Sequence, residues 1–251
     1  MIHSFLMLGQ SNMAGRGDFG EVPEIRHERI LMLRNGHWVP MSEPINPDRG
    51  IFDEFHSGIG LAASFAEEFV RRHEDSIGLI PCADGGTCLD DWMPGGVLYD
   101  NAVFQTRMAM RSSMVAGALF HQGESDATGT SAPKYEEKFE KIYSAFRHDA
   151  GLGEIAFVLG ELGSFLASAK RWGNELPVYF KEINRALHRI AEKHDNFAIV
   201  SAEGLSAKTD EIHFNSASCR EFGRRYFQKY EEIDRGFKEN GSNNEYKKPS
   251  C

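Results

Sequence analysis

The chain has 251 residues, an apolar fraction of 41% and a formal net charge of −9, from 28 basic and 37 acidic side chains. This length allows a sizeable hydrophobic core in one large domain or two small ones. The excess of acidic residues argues against a surface that follows nucleic-acid phosphates, and no apolar run reaches the 18 residues typical of a membrane span.

The first residues indicate a cytoplasmic protein. They lack the basic segment and long apolar stretch of an export signal, because residues 2–8 have only the length of a strand. The four cysteines, Cys82, Cys88, Cys219 and Cys251, include no C-x-x-C pair, and no H-E-x-x-H motif is present. We therefore expect reduced thiols and a protein that needs neither a metal nor another cofactor. Its oligomeric state does not follow from these patterns.

Short apolar runs alternate with helical patterns along the chain. Most of the runs lack alternation between apolar and polar residues, which is typical of parallel strands covered on both faces. The alternation of strands and helices predicts a three-layer α/β/α sandwich. The predicted strands cover residues 2–8, 30–33, 77–81, 115–120, 155–159 and 197–200, and the predicted helices cover residues 59–72, 135–147 and 178–193.

A last helix is predicted after the sequence "HFNSAS", capped by Asn215 or Ser216. Its apolar residues recur at helical spacing up to Tyr230. Beyond residue 236 the chain is polar and has no periodicity, which predicts a disordered tail. Because no repeat or linker divides the chain, we expect one domain over residues 1–235 and a tail over 236–251.

Polar, glycine-containing loops follow three of the predicted strands. They are residues 9–15, 83–92 and 121–127. Each loop taken alone could equally be a polar turn. Functional loops of a parallel α/β sheet leave the carboxyl ends of its strands, so the three together predict a site at one edge.

A fourth polar segment, "DEIHFN", precedes the last helix. Its Asp210 and His213 are three residues apart, close enough for the carboxylate to accept a hydrogen bond from the imidazole. That pair could be a helix cap or a surface contact. With the exposed Ser11 of the first loop, it could instead be the base and orienting acid of a serine hydrolase.

Three motifs carry a family resemblance. "GQSNMAG" near the N-terminus, "HQGESDA" in the middle and "DEIHF" near the C-terminus resemble the SGNH hydrolase superfamily, and within it the sialate O-acetylesterase-like and family 6 carbohydrate esterase branch. The motifs span residues 9–214. The resemblance implies a flavodoxin-like sandwich around a central parallel sheet of about five strands.

The resemblance also implies a catalytic site for acetyl esters of carbohydrates. It assigns Ser11 as the nucleophile, His213 as the base and Asp210 as the residue that orients the base. Its oxyanion hole would use the N–H groups of Ser11 and Gly86, and the side chain of Gln122. Fixed donors of this kind stabilise the charge that develops on the ester carbonyl. The implied partner is an acetylated saccharide, with no nucleic acid and no membrane.

Several assignments stay open in the sequence. Glu124 could accept from His213 in competition with Asp210, bind substrate hydroxyls or tie down its own loop, and the last of these is favoured. Gln10 and Asn12 are candidates for supporting the site or contacting substrate. The same triad would also suit a short-chain lipid esterase or a thioesterase, and a non-catalytic carbohydrate-binding relative is a further alternative. Acceptor specificity is expected to depend on the loops 36–55 and 163–175.

Overall fold

A mixed β-sheet organises the protein in the computed structural model, which describes residues 1–47 and 56–245, with side chains described up to residue 236. Within these residues the sheet has seven strands in the order β3-β2-β4-β1-β5-β6-β7. All neighbours pair in parallel except β2 and β3, which form an antiparallel pair at one edge. The strands are β1 Ile2–Gly9, β2 Ile30–Arg34, β3 His37–Pro40, β4 Ser76–Pro81, β5 Met114–His121, β6 Ala156–Gly160 and β7 Phe197–Val200.

Helices cover both faces of this sheet. The helices α2 and α6 pack against each other on one face, and α3, α4 and α5 pack side by side on the other. Each face buries its own apolar cluster, so the sheet is enclosed on both sides. The helices are α1 Ser11–Ala14, α2 Leu61–Arg72, α3 Val97–Ala109, α4 Tyr135–Ala150, α5 Leu176–Lys193 and α6 Ser216–Glu245. The predicted three-layer α/β/α sandwich is confirmed.

Two predictions about the extent of regular structure need correction. The sheet has seven strands rather than about five: the six that the apolar runs predict and a short antiparallel strand, β3, that extends one edge. The structure also continues α6 over residues 236–245, where the sequence predicts a disordered tail. Adding residues to an existing helix costs far less than starting one, so a polar segment can continue α6. Residues 246–251 of the predicted tail lie outside the described residues.

The sheet order brings three of the polar loops together. The strands β4, β1 and β5 are direct neighbours, so their carboxyl ends deliver residues 83–92, 9–15 and 121–127 to one edge. Gly9, at the end of β1, sits so close to β5 that a Cβ atom would lie 2.0 Å from the carbonyl oxygen of His121. Only glycine allows the two strands to approach this closely. No helix in residues 1–47 and 56–245 has the length and apolarity needed to cross a bilayer.

Candidate active site

Ser11 begins the short helix α1 directly after β1, at the carboxyl edge of the sheet. The turn is closed by hydrogen bonds from the N–H groups of Met13 and Ala14 to the carbonyl oxygen of Gln10. Ser11 is 6% exposed and its side chain lies in a surface cleft. The turn therefore presents one hydroxyl from an otherwise buried segment.

His213 reaches Ser11 from the other end of the chain. Its Nε2 lies 2.9 Å from Ser11 Oγ, and its Nδ1 lies 2.8 Å from Asp210 Oδ2. The second oxygen, Asp210 Oδ1, accepts hydrogen bonds from the backbone N–H groups of Ile212 and His213, at 3.0 and 2.9 Å. The carboxylate thus orients both the imidazole and the loop that carries it. Ser11, His213 and Asp210 lie in the hydrogen-bonded order of a serine hydrolase triad.

The charge state of Asp210 follows from these contacts. Burial raises the pKa of this carboxyl, but the hydrogen bonds from the His213 side chain and from the N–H groups of His213 and Ile212 outweigh it and lower the pKa to about 2. Asp210 is therefore an anion at neutral pH. An anion at this position favours the tautomer in which Nδ1 carries the proton, leaving Nε2 free to accept the proton of Ser11.

Asn12 fixes the backbone on both sides of His213. Its Nδ2 donates to the carbonyl oxygen of Ile212 at 3.1 Å, and its Oδ1 accepts from the N–H of Phe214 at 3.1 Å. The same Nδ2 donates to Glu124 Oε1 at 2.5 Å. Because Asn12 is the neighbour of the nucleophile, one side-chain amide joins the serine turn to the histidine loop.

Glu124 supports this amide and has no hydrogen bond to His213 within the described residues. Its Oε1 lies 3.3 Å from Nε2 of His121, which is fully buried. Burial raises the pKa of Glu124, but the hydrogen bond and charge of His121, together with the Asn12 amide, lower it overall. Of the roles left open by the sequence, the structure places Glu124 in the loop-fixing role and gives the orienting contact to Asp210.

Two residues that line the cleft, Ser11 and Gly86, have backbone N–H groups available as donors. Neither the N–H of Ser11 nor that of Gly86 donates to another group in the part of the chain that the structure describes. Gly86 has a φ of 72°, and nothing lies within 4 Å of where its Cβ would be. This left-handed conformation suits glycine, and the absence of a Cβ leaves its backbone accessible to a ligand in the cleft. Both residues line the cleft, as an oxyanion hole requires.

The structure contradicts the oxyanion-hole role predicted for Gln122. Its side chain is fully buried and lies outside the cleft lining. Its Nε2 donates instead to Gln10 Oε1 at 3.1 Å, to the carbonyl oxygen of Thr87 at 3.1 Å and to Asp126 Oδ2 at 2.7 Å. Gln122 therefore links the loops 9–15, 83–92 and 121–127 from the protein interior. Its position at the end of β5 points it into the protein, which the sequence motif does not reveal.

The side chain of Gln10, next to Ser11 in the sequence, lies at the cleft, whereas that of Gln122 does not. Three donors converge on Gln10 Oε1: the Gln122 side chain and the N–H groups of Gly123 and Ser125, the last two at 3.3 Å. These three hydrogen bonds hold Gln10 Oε1 on the side of the protein interior. The opposite atom, Nε2, has no hydrogen bond within the described residues, and Gln10 lines the cleft. Its adjacency to Ser11 was the signal in the sequence.

The cleft around Ser11 has a volume of about 490 Å³ and is lined by both polar and apolar residues. One wall is the segment 172–176, where the loop after β6 enters α5. Trp172 on this wall donates from Nε1 to the carbonyl oxygen of Asp210 at 2.6 Å. Sequence reasoning missed Trp172, although it falls in the predicted specificity loop 163–175. Of the other predicted specificity loop, residues 48–55 lie outside the described residues.

No cluster of three or more histidine, cysteine, aspartate or glutamate side chains capable of holding a metal ion occurs in the described ranges. The side chains of Ser11 and His213 and the backbone of Gly86 lie at this cleft. The arrangement is suited to nucleophilic attack on an ester carbonyl.

Comparison with known families agrees with this chemistry. Residues 1–232 match the model of the family described as carbohydrate esterase, sialic acid-specific acetylesterase. The chain belongs to this family. It is accordingly a carboxylic ester hydrolase, and its fold is that of the SGNH hydrolases predicted from the motifs.

Individual relatives show how far the likeness extends. A probable carbohydrate esterase from Arabidopsis thaliana is 29% identical over 246 residues, with 90% of this chain and 89% of the relative covered. A crystal structure of that plant protein has a TM-score of 0.79 at 27% identity, covering 92% of this chain and 98% of the other. The fold is also shared with NanS, at 17% identity and a TM-score of 0.71 over 95% of this chain and 98% of the other. A carbohydrate acetylesterase from Xanthomonas citri has 18% identity and a TM-score of 0.68, over 93% of this chain and 56% of the other.

Proposed function

We propose that this protein is a serine esterase that removes O-acetyl groups from saccharides, with Ser11, His213 and Asp210 as its catalytic triad. The observation that carries the proposal is the continuous hydrogen-bonded line from Ser11 Oγ to His213 Nε2, at 2.9 Å, and from His213 Nδ1 to Asp210 Oδ2, at 2.8 Å. Family membership supports ester hydrolysis on carbohydrates.

The reaction proceeds in two halves. Ser11 Oγ attacks the acetyl carbonyl while His213 Nε2 takes its proton. The resulting imidazolium is stabilised by the anionic Asp210. His213 then returns the proton to the sugar oxygen, which leaves as an alcohol, and an acetyl group remains on Ser11. Water attacks this ester with His213 again as the base. His213 then returns the proton to Ser11 Oγ as the bond between Oγ and the acyl carbon breaks, and acetate leaves.

The oxyanion of each tetrahedral intermediate requires donors that are already in place. We assign the N–H groups of Ser11 and Gly86 to this role, and Nε2 of Gln10 as the third donor. Removal of one such donor typically costs about 3 kcal/mol of transition-state stabilisation. The contacts at Gln10 Oε1 hold its amide in position, so the donor does not have to reorganise during the reaction.

The lining of the cleft offers polar groups to a polyhydroxylated substrate. Its rim carries Ser125, Thr128, Asn174 and Glu175, whose hydroxyl, amide and carboxylate groups suit the hydroxyls of a sugar. A lipid or long-chain thioester would instead bind through apolar surface, and the comparison of acetate with octanoate distinguishes the two substrate classes. The intact triad also speaks against a carbohydrate-binding relative without activity.

The test compares substrates and a single variant. The protein is expected to hydrolyse p-nitrophenyl acetate faster than the octanoate, and to release acetate from acetylated xylan or acetylated sialic acid. A fluorophosphonate probe should label Ser11, and Ser11→Ala should abolish both labelling and hydrolysis. Mass spectrometry that places the adduct on another serine would refute the nucleophile. Faster hydrolysis of the octanoate would refute the acetyl preference.

A further inference from the structure

Lys208 connects the loop of the proposed base to the segment that follows the proposed nucleophile. This base loop, residues 208–215, carries Asp210 and His213 and leads into α6. The Nζ atom of Lys208 donates to the carbonyl oxygen of Arg16 at 2.8 Å and to Asp18 Oδ1 at 2.7 Å. Because Arg16 lies just beyond the short helix α1, the ammonium group links two parts of the site that are far apart in the sequence.

The other end of the base loop is held by the same segment. Ser216, the first residue of α6, donates from Oγ to the carbonyl oxygen of Asp18 at 3.0 Å and to Glu21 Oε2 at 2.8 Å. The segment 16–21 therefore contacts the chain at the start of the base loop, through Lys208, and directly after its end. The position of this segment thus affects the position of the base.

The base loop is closed on itself and contains a strained residue. The N–H of Lys208 donates to the carbonyl oxygen of His213 at 2.7 Å, and the N–H of Glu211 donates to the carbonyl oxygen of Lys208 at 3.1 Å. Glu211 has a φ of 66°, a left-handed conformation that is unfavourable for a residue with a side chain. Such a conformation persists only where the surrounding contacts hold it in place. Lys208 makes contacts of this kind with both its backbone and its side chain.

The hydrogen bond to the backbone is the stronger of the two side-chain contacts of Lys208. The Asp18 side chain is 56% exposed, so its ion pair with Lys208 is screened by solvent and contributes little. The Lys208 side chain is 22% exposed. A charged donor to a carbonyl oxygen makes a stronger hydrogen bond than a neutral donor, and the Arg16 carbonyl is part of the main chain. The restraint therefore depends mainly on the ammonium group and the Arg16 carbonyl.

We propose that Lys208 is a positioning residue, whose ammonium group holds the base loop against the segment after α1 and so keeps His213 Nε2 at hydrogen-bond distance from Ser11 Oγ. The proposal rests on the esterase activity proposed above. Asn12 links the same loop to α1 at the residues on either side of His213. Lys208 adds a second link at the start of the loop.

Three variants test this role. Lys208→Met keeps an unbranched side chain and removes the ammonium group, whereas Lys208→Arg keeps a positive charge and N–H donors. Lys229→Met is the matched control, because Lys229 Nζ also donates to a carboxylate at 2.7 Å, that of Glu232 on α6. For each protein the measurements are kcat and KM for p-nitrophenyl acetate, the rate of labelling by a fluorophosphonate and the melting temperature.

Lys208→Met is expected to lower kcat and the labelling rate by about tenfold, with KM little changed, because a displaced base slows the reaction of Ser11 more than it weakens binding. Lys208→Arg should recover most of this loss, and Lys229→Met should match the wild-type protein. A folded Lys208→Met protein with kcat within twofold of wild type would overturn the positioning role. An equal loss in Lys229→Met would also overturn it, since the effect would then be one of general charge.

A measurement that does not depend on turnover follows the proton between His213 Nδ1 and Asp210. This proton lies in a hydrogen bond of 2.8 Å and is expected to give an NMR resonance at low field. In Lys208→Met, well below the melting temperature, exchange with solvent should broaden the resonance because the loop is less restrained. A resonance as sharp as that of wild type would overturn the positioning role.

Failure of the proposed function gives a different result. If the wild-type protein hydrolyses no acetyl ester, or if Ser11→Ala remains active, the proposed function is refuted and the role of Lys208 with it. If the wild-type protein is active through Ser11 and Lys208→Met equals it in kcat and labelling rate, only the positioning role is refuted.

Discussion

Replacing Asp210 by asparagine should reverse the hydrogen-bond direction at the catalytic base. Asparagine can keep its carbonyl oxygen at the Oδ1 position, where it still accepts from the N–H groups of Ile212 and His213. Its NH2 then replaces the Oδ2 that lies 2.8 Å from His213 Nδ1. Two donors cannot share that contact, so the imidazole proton moves to Nε2. There it faces Ser11 Oγ, and the base can no longer accept the serine proton.

The expected loss is large and confined to turnover. A tautomer change of this kind lowers kcat by about 10⁴ in a serine hydrolase, or roughly 5 kcal/mol of transition-state stabilisation. KM should change little, because Asp210 lies behind the imidazole. The melting temperature should change by only a few degrees, since both backbone hydrogen bonds remain. Kinetics with p-nitrophenyl acetate and a thermal melt provide these measurements.

The control is the same substitution at the opposite end of the sheet. Asp75 also pairs with a histidine, with Oδ2 lying 3.1 Å from His3 Nε2. Asp75→Asn should leave kcat unchanged. A folded Asp210→Asn protein that keeps kcat within tenfold of wild type would refute the assignment of Asp210.

Three further substitutions test the structure around the triad. Glu124→Gln keeps an acceptor for Asn12 but loses the negative charge beside His121, so it should lower the free energy of unfolding by about 1–3 kcal/mol. Its kcat should fall less than that of Asp210→Asn. A larger fall in kcat in a folded protein would make Glu124 the orienting acid. Asn12→Ala removes the hydrogen bonds to the backbone on both sides of His213. It should lower kcat by about 10²-fold with KM little changed. Unaltered kcat would contradict the positioning role of Asn12. Glu43→Ala leaves the buried Arg220 without its carboxylate partner. The free energy of unfolding in a denaturant melt should fall by about 3–5 kcal/mol, while activity at 25 °C is retained. An unchanged melt would show that this ion pair does not contribute to stability.

The elements that sequence patterns predicted were those whose apolar residues face the core. The strand β3 was missed because its four residues lie at the edge of the sheet, are at most partly buried and end in Pro40. The helix α3 was missed for a related reason. It buries mainly small or polar groups such as Ala102 and Thr106, while Val97 and Phe104 are exposed, so no apolar stripe marks it.

The parts of the candidate site that could be predicted are those whose residues lie close together in the sequence. Asp210 and His213 share one loop, and Ser11 follows the first strand, so their spacing marks them as candidates, and the family resemblance assigns their roles. The direction of a side chain at a strand end depends on packing against other loops. For that reason the motif around Gln122 did not show that this residue is buried, nor that Gln10 would face the cleft instead.

Ser11 and His213, which we propose as nucleophile and base, are 202 residues apart in the chain, and Asn12 joins their two loops. During synthesis Ser11 therefore leaves the ribosome long before His213. A nascent or truncated chain that ends before residue 213 carries a serine with no base to activate it and no loop for Asn12 to hold. Hydrolysis of an acetyl ester thus reports that the whole sheet has assembled, which makes activity a more demanding measure of complete folding than helix content.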